Sequence, residues 1–281
     1  MRLRIFHRTR YTYRAPVRDS HNEVRLRPAT DDSARCEFFL LNVNPPVRLK
    51  HYRDEWMNYV HWFDIAEPHN GLSIDAQLIV QTSSPYTAGK PHGVGFAALN
   101  DLQDDLLAPL LQSSTYVDIN REVWKEALDV KAACDDVFAT AEALMSHVHT
   151  RWSYNPGATH ASTHMREVMH DRQGVCQDFA HVMIGMCRSL GIPARYVSAY
   201  LYNGPGAHLR GAQATHAWCE VFVPGKGWFG LDPTNNTLAD ERHVKIATGR
   251  DYAEAAPITG QFDGPLDATA AMQIEVEVSA A

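Results

Sequence analysis

Three residues in the second half of the chain have the types and the order for nucleophilic catalysis. They are Cys176, His216 and Asp232. A thiol nucleophile needs a base to take its proton, and that base needs a carboxylate to orient it and balance its charge. Cys176 lies in Gly174-Val175-Cys176-Gln177-Asp178-Phe179-Ala180-His181. After it, Phe179, Val182, Met183, Met186, Cys187 and Leu190 recur at spacings that form one face of an amphipathic helix. Gly191 and Pro193 mark the end of that helix. Cys176 is therefore predicted at a helix N-terminus, where partial positive charge and free N–H groups favour an anionic sulfur or a bound oxyanion.

The elements that must carry His216 and Asp232 form a hairpin. Thr215–Val223 and Trp228–Thr234 read as strands joined across Pro224-Gly225-Lys226-Gly227. A plain four-residue loop would pair Val223 with Trp228, an odd number with an even one. His216 and Asp232 would then face opposite sides of the sheet. The catalytic reading requires a three- or five-residue loop, or a bulge at Gly225 or Gly227, so that Trp218 faces Asp232 and His216 is the diagonal neighbour. Taken singly, Asp232 also reads as an Asx turn with Pro233-Thr234, and His216 as a half-buried strand histidine.

Upstream of Cys176, Trp152–Gly157 reads as a short strand and turn, and Thr163 as the cap of a short helix through Met165 and Met169. Downstream, Arg195–Tyr202 alternates like a strand. The long polar loop Asn203–Ala214 contains Gly204, Gly206 and Gly211 and suits an active-site loop.

Residues 1–87 read as a β domain. Leu3, Ile5, His7, Thr9, Tyr11 and Tyr13 alternate with Arg4, Phe6, Arg8, Arg10 and Thr12. Further strand-like runs follow at His21–Arg27, Arg35–Val43, Val47–Arg53, Asn58–Ile65 and Leu72–Gln81, which suggests a sandwich or meander. His51, His61 and His69 lack ligand spacing. Residues 88–150 read as a Gly-rich linker, Gly89–Gly95, and then two helices. The first is capped around Asp118-Ile119-Asn120 and runs through Val123, Trp124, Ala127 and Val130; the second carries Phe138, Ala141, Leu144, Met145 and Val148. His147 and His149 diverge by about 200° on that helix and are expected at the surface. Residues 151–245 form the expected core. The tail, 246–281, offers Met272–Val278 as a returning edge strand.

Across all 281 residues, hydrophobic content is 45%, charged content 21% and net charge −7. No basic run offers an electrostatic footprint for nucleic acid or an anionic membrane surface. Met1–Arg8 has no apolar signal-peptide core, and five scattered cysteines with no CxxC suit a reducing cytoplasm better than a disulfide framework. A metal set of Cys176, His181, His216 and Asp232 is the alternative use of the same residues. No cofactor is expected.

Four blocks resemble the transglutaminase-like core: Gly174–Ala180, Gly191-Ile192-Pro193-Ala194-Arg195-Tyr196-Val197, His216-Ala217-Trp218-Cys219-Glu220-Val221 and Leu231-Asp232-Pro233-Thr234. The N-terminal strands and the Met272–Val278 tail resemble the β domain of bacterial members. The resemblance implies an α+β fold, with a papain-like core whose Cys-bearing helix packs on an antiparallel sheet behind an all-β, sandwich-like domain. It implies Cys176 as nucleophile, His216 as general base and acid, and Asp232 as orienting carboxylate. The Cys176 N–H and either Tyr154 or Trp152 would hold the oxyanion, and Gln177 and Trp218 would contact a peptide or amide substrate. Members include transglutaminases, peptidases, amidases and inactive proteins, and bacterial relatives are associated with ATP-grasp-type and helical partner proteins. A non-catalytic binding module is the second reading.

Overall fold

The computed structural model describes residues 1–281 except 32, 101, 103, 206, 207, 212, 213 and 266, and the side chain of residue 270 also lies outside the description. The N-terminal part is built around one strand, β1 (Arg2–Arg27), with β2 (Ala34–Asn44), β3 (Lys50–Arg53), β4 (Tyr59–Ile65) and β5 (His69–Thr82). Leu3, Ile5, His7 and Thr9 point inward and are buried, as their period of two dictates. The runs read separately at Leu3–Tyr13 and His21–Arg27 are one strand. Its pairing register shifts between Thr12 and Val17, and there it passes from one sheet to the next. The first part pairs with β5, the second with β4. Leu3, Ile5, Val24, Leu26, Phe63, Ile74 and Leu78 share one core, so the layers form a sandwich.

The middle of the chain supplies α1 (Ala97–Asn100), α2 (Arg121–Lys131), α3 (Val137–Arg151), β6 (Ser153–Tyr154), α4 (Met165–Asp171), β7 (Gln173–Gly174) and α5 (Cys176–Ser189). Asn120 caps α2 by accepting from the Glu122 and Val123 N–H groups. Val123 and Ala127 are buried, whereas Trp124, expected on the same stripe, is exposed. The five apolar residues expected on the second helix, α3, are all buried. His164, not Thr163, caps α4: its side chain accepts from Arg166 N–H, and Thr163 Oγ1 instead accepts from His160 N–H. His147 and His149 are half-buried rather than free on the surface. His147 bonds Glu126, and His149 Nδ1 lies 3.1 Å from the Thr234 carbonyl.

The second half continues with β8 (Ala194–Leu201), β9 (His216–Val223), β10 (Gly227–Asp232), β11 (Thr237–Leu238), β12 (His243–Gly249) and α6 (Tyr252–Ala255), and the chain ends with β13 (Ile258–Asp263) and β14 (Thr269–Ala280). The core sheet is antiparallel, in the order β11-β10-β9-β8-β12. Its Ala217, Cys219, Val221 and Leu231 pack on Phe179, Val182, Met183 and Met186 of α5. Helices α2, α3 and α4 also pack on α5, and its polar Asp178, His181 and Arg188 are buried too, the last two against the 112–116 segment, β8 and the 250–252 turn. Gly191, at φ +81°, takes the left-handed turn that ends the helix.

The chain then returns to the N-terminal sheets. β13 and β14 both pair with β1, and β14 lies at an edge with Glu275 and Glu277 exposed, as expected for the tail. β12 and β13 were not read from the sequence, and β12 straddles the expected boundary at 245. Tyr200, Val244 and Ile246 of the core sheet complete the N-terminal hydrophobic cluster. Asn58 clamps the Thr248 backbone through two 2.8 Å bonds, and the Thr82 hydroxyl donates to the Glu241 carbonyl at 2.6 Å.

Candidate active site

Cys176 opens the first turn of α5 and is partly exposed. Asp178, three residues after the cap, accepts the Val175 N–H at 2.8 Å and the Thr159 hydroxyl at 2.6 Å through the same oxygen. This closes the helix start and ties the loop after β6 to it. Burial pushes the Asp178 carboxyl up, and the two donors oppose that. Asp178 was not singled out in the sequence, although an acid at the third helical position is a cap signal.

The hairpin carries His216 and Asp232 as the parity argument requires. Gly227 pairs with Val223 and Leu231 with Cys219, so three residues form the loop and Trp218 registers with Asp232. Gly225 and Gly227 adopt φ +71° and +99°, conformations open to glycine. His216 Nε2–H donates to Asp232 Oδ2 at 2.8 Å, and both side chains are fully buried. The other ring nitrogen, Nδ1, meets no partner at ordinary hydrogen-bond geometry among the described residues, while the Cys176 thiol is near enough to act on the ring as a hydrogen-bonding neighbour. Burial alone would lower the His216 pKa. The Asp232 charge and hydrogen bond, then the neighbouring Cys176, overturn this and push it up to about 10. Burial likewise opposes ionisation of Asp232, but the charge and hydrogen bond of His216, with those of His243, hold it well below the usual carboxylate range.

Asp232 has further partners. Oδ1 accepts Thr234 N–H at 2.9 Å, the expected Asx turn, and Asn235 N–H at 3.2 Å. Asn235 Nδ2 donates to Oδ2 at 2.7 Å, while its own carbonyl oxygen accepts Arg210 N–H at 2.8 Å. Asn235, read only as loop, thus connects Asp232 to the 203–214 segment. Within that segment Gly206 lies outside the described residues, and Gly211 rests on the imidazole. A Cβ at Gly211 would lie 2.4 Å from His216 Nδ1.

The remaining sequence-derived site residues separate. Trp152 is buried and its indole N–H is committed to the Val168 carbonyl at 3.0 Å, so it is not free to hold an oxyanion. Tyr154 is half-buried beside Gly174 through the β6–β7 pairing, close enough to Cys176 for the thiolate charge, after burial, to raise its pKa. The Gln177 amide donates to the Ala161 carbonyl at 2.8 Å and so braces the neighbouring loop. Trp218 is 2% exposed and packs against His216 and His243. His181 does not join the others. It is buried between Tyr116 and Tyr196 and accepts Tyr252 N–H, so the alternative metal set is not assembled. Among the described residues no group of three or more His, Cys, Asp or Glu is arranged to hold a metal ion.

Residues 126–233 match the profile of the transglutaminase-like superfamily, and residues 3–81 that of the bacterial transglutaminase-like N-terminal region. An uncharacterised protein of Mycobacterium tuberculosis is 34% identical over 280 residues, covering 92% of this chain and 87% of that one. A protein-glutamine gamma-glutamyltransferase of Pseudomonas aeruginosa is 34% identical over 125 residues, 43% of this chain and 18% of that one. A Cytophaga hutchinsonii structure, provisionally designated a cysteine protease, superposes with a TM-score of 0.78 at 23% identity, over 100% of this chain and 91% of that one. The strand order, the two matched regions and a relative similar over nearly its whole length place this chain in the transglutaminase-like superfamily.

Proposed function

We propose that the protein is a cysteine-dependent enzyme that cleaves an amide or peptide bond through a thioester, with water favoured over an amine as the second acceptor. The observation that carries this reading is the fully buried His216–Asp232 pair, which fixes the imidazole by Nε2 and leaves Nδ1 as the nitrogen free to exchange a proton. Cys176 attacks the carbonyl carbon, and the Cys176 N–H, unpaired within the helix as first-turn donors are, faces the developing oxyanion together with the Tyr154 hydroxyl. The His216 imidazolium gives its proton to the departing amine, leaving an acyl group on sulfur. Water then attacks the thioester, His216 takes the water's proton, and the thiolate departs as the carboxylic acid is released. Water needs no second binding site, and this favours hydrolysis. Membership of a superfamily that includes a gamma-glutamyltransferase relative keeps amine transfer as the outcome to be measured against it.

The test is intact-mass analysis after incubation with p-nitrophenyl acetate. One acetyl group on Cys176, absent in Cys176→Ala and released by water faster than by millimolar primary amine, is expected. Acetylation that persists in Cys176→Ala contradicts the assignment, and release that depends on the amine reverses the order of acceptors.

A further inference from the structure

Behind Asp232 lies a second histidine. The connection from β11 to β12 runs from one edge of the core sheet to the other, across the face turned away from α5. On the way, Ala239 packs on Val197, Ala199 and Trp218, and the crossing ends at His243, the first residue of β12. The His243 side chain is 1% exposed, and its Nε2 lies 3.5 Å from Asp232 Oδ2, an ion-pair distance, with no hydrogen-bond partner among the described residues. Trp218 meets the ring edge-on, with centroids 5.1 Å apart at 90°, and so fixes its plane. On the far side, Asp240 N–H approaches His243 Nδ1 at 3.1 Å. The same Nδ1 also lies 3.1 Å from the Asp240 carboxylate oxygen Oδ1, so the ring stands between two carboxylates, Asp240, which Arg242 already pairs, and the fully buried Asp232, and a proton on Nε2 faces the buried one. The opposite tautomer would set a lone pair against a buried anion.

We propose that His243 is a positioning residue of this site, holding Asp232 from the side opposite His216 and drawing part of the Oδ2 charge away from it. The inference rests on the catalytic reading above. Oδ2 accepts from His216 at 2.8 Å and Asn235 at 2.7 Å, and a proton on His243 Nε2 would make a third, longer approach at 3.5 Å. The more charge the third donor takes, the less firmly the carboxylate holds the His216 proton, and the more readily the imidazolium can pass it to a leaving group. The other titratable groups facing this cluster are Cys176 from α5, Tyr154 from β6, and Asp240 with its partner Arg242 from the crossing segment.

Two substitutions separate this role from a structural one. His243→Gln places an amide nitrogen where Nε2 was and keeps the donor to Asp232. His243→Asn reaches only the Nδ1 position and keeps the link to Asp240. The readout is the rate of iodoacetamide alkylation at Cys176 against pH, whose alkaline inflection reports loss of the His216 proton. His243→Asn is expected to move that inflection upward by about half a unit or more, the scale of one lost hydrogen bond to a charged group, with His243→Gln close to wild type. In wild-type protein, long-range 1H–15N spectra should show a proton on His243 Nε2. An unmoved or lowered inflection in His243→Asn, the reverse ranking of the two variants, or a bare Nε2 overturns the proposal. The catalytic reading fails separately, if His216→Ala leaves wild-type alkylation unchanged.

Discussion

The two oxygens of Asp232 hold different partners. Oδ1 closes an Asx turn on Thr234, and Oδ2 holds His216. The turn and the catalytic contact, alternatives in the sequence, coexist in one side chain. The consequence for pH follows from His216. Free histidine titrates near 6.5 and His216 near 10, so the folded state binds this proton more tightly than the unfolded chain. The pair's stabilisation is complete between about 3.8, the ordinary Asp value, and about 6.5; it drains away as pH rises toward 10 and is lost again in acid as Asp232 takes up a proton. Asp232→Asn removes the charge while keeping a hydrogen-bonding oxygen for the turn. We expect a folded protein whose thioester turnover is slower by roughly tens- to hundreds-fold, less than a serine hydrolase loses because sulfur is the better nucleophile. Its alkaline inflection should move down toward 6.5. Wild-type turnover in a well-folded Asn variant would remove Asp232 from the mechanism.

At the scale of elements, what could be read from the sequence was whatever leaves a local period. The α5 stripe, the alternation at the start of β1 and the hairpin parity each lie within one or two consecutive elements. The loop length was forced by a single requirement, that His216 and Asp232 share a face, and the three-residue turn at Pro224–Lys226 meets it. What escaped depends on contacts between distant segments. The apolar run of β12 sits in a tail with few turn signals, and His243 becomes significant only because the crossing segment brings it back to Asp232. Asn235 matters only because Arg210 folds over it, and Trp152 is removed from the oxyanion role by a carbonyl on α4. The Arg210–Gly211 stretch carries its own expectation. Gly211 stands at φ +83°, and a Cβ there would meet His216 Nδ1 at 2.4 Å. Gly211→Ala therefore combines backbone strain of about 1 kcal/mol with displacement of the loop or the ring. Cys176 alkylation should change several-fold in this variant while the melting temperature moves by only a few degrees, as paired kinetic and calorimetric runs would show. A wild-type alkylation profile would mean that the loop does not bear on the imidazole.

At the scale of the molecule, the N-terminal sandwich and the core sheet share a core through Tyr200, Val244 and Ile246, and the same junction buries His7 against the Tyr200 hydroxyl at 3.0 Å. Burial outweighs the Asp75 charge and lowers His7 to about 4, so the junction is built around a neutral ring. The sandwich thereby backs β12 and, through it, His243. The chain's five thiols are also distributed so that one measurement addresses the central claim. Cys187 and Cys219 are fully buried, Cys36 and Cys134 are partly exposed, the first beside Arg27 and the second against the Asp136 carbonyl at the cap of α3, and of the five Cys176 adjoins the His216–Asp232 pair. At pH 6 an ordinary thiol, with a pKa of about 8.5, is well under about one per cent thiolate. His216, whose proton is held up to about 10, stands beside the Cys176 sulfur at that pH, and a cation next to a sulfur favours attack by it. Brief, substoichiometric iodoacetamide at pH 6 followed by peptide mapping should label Cys176 first, and His216→Ala should slow that labelling sharply. Equal labelling of Cys176 and Cys134, or no effect of His216→Ala, would contradict the account.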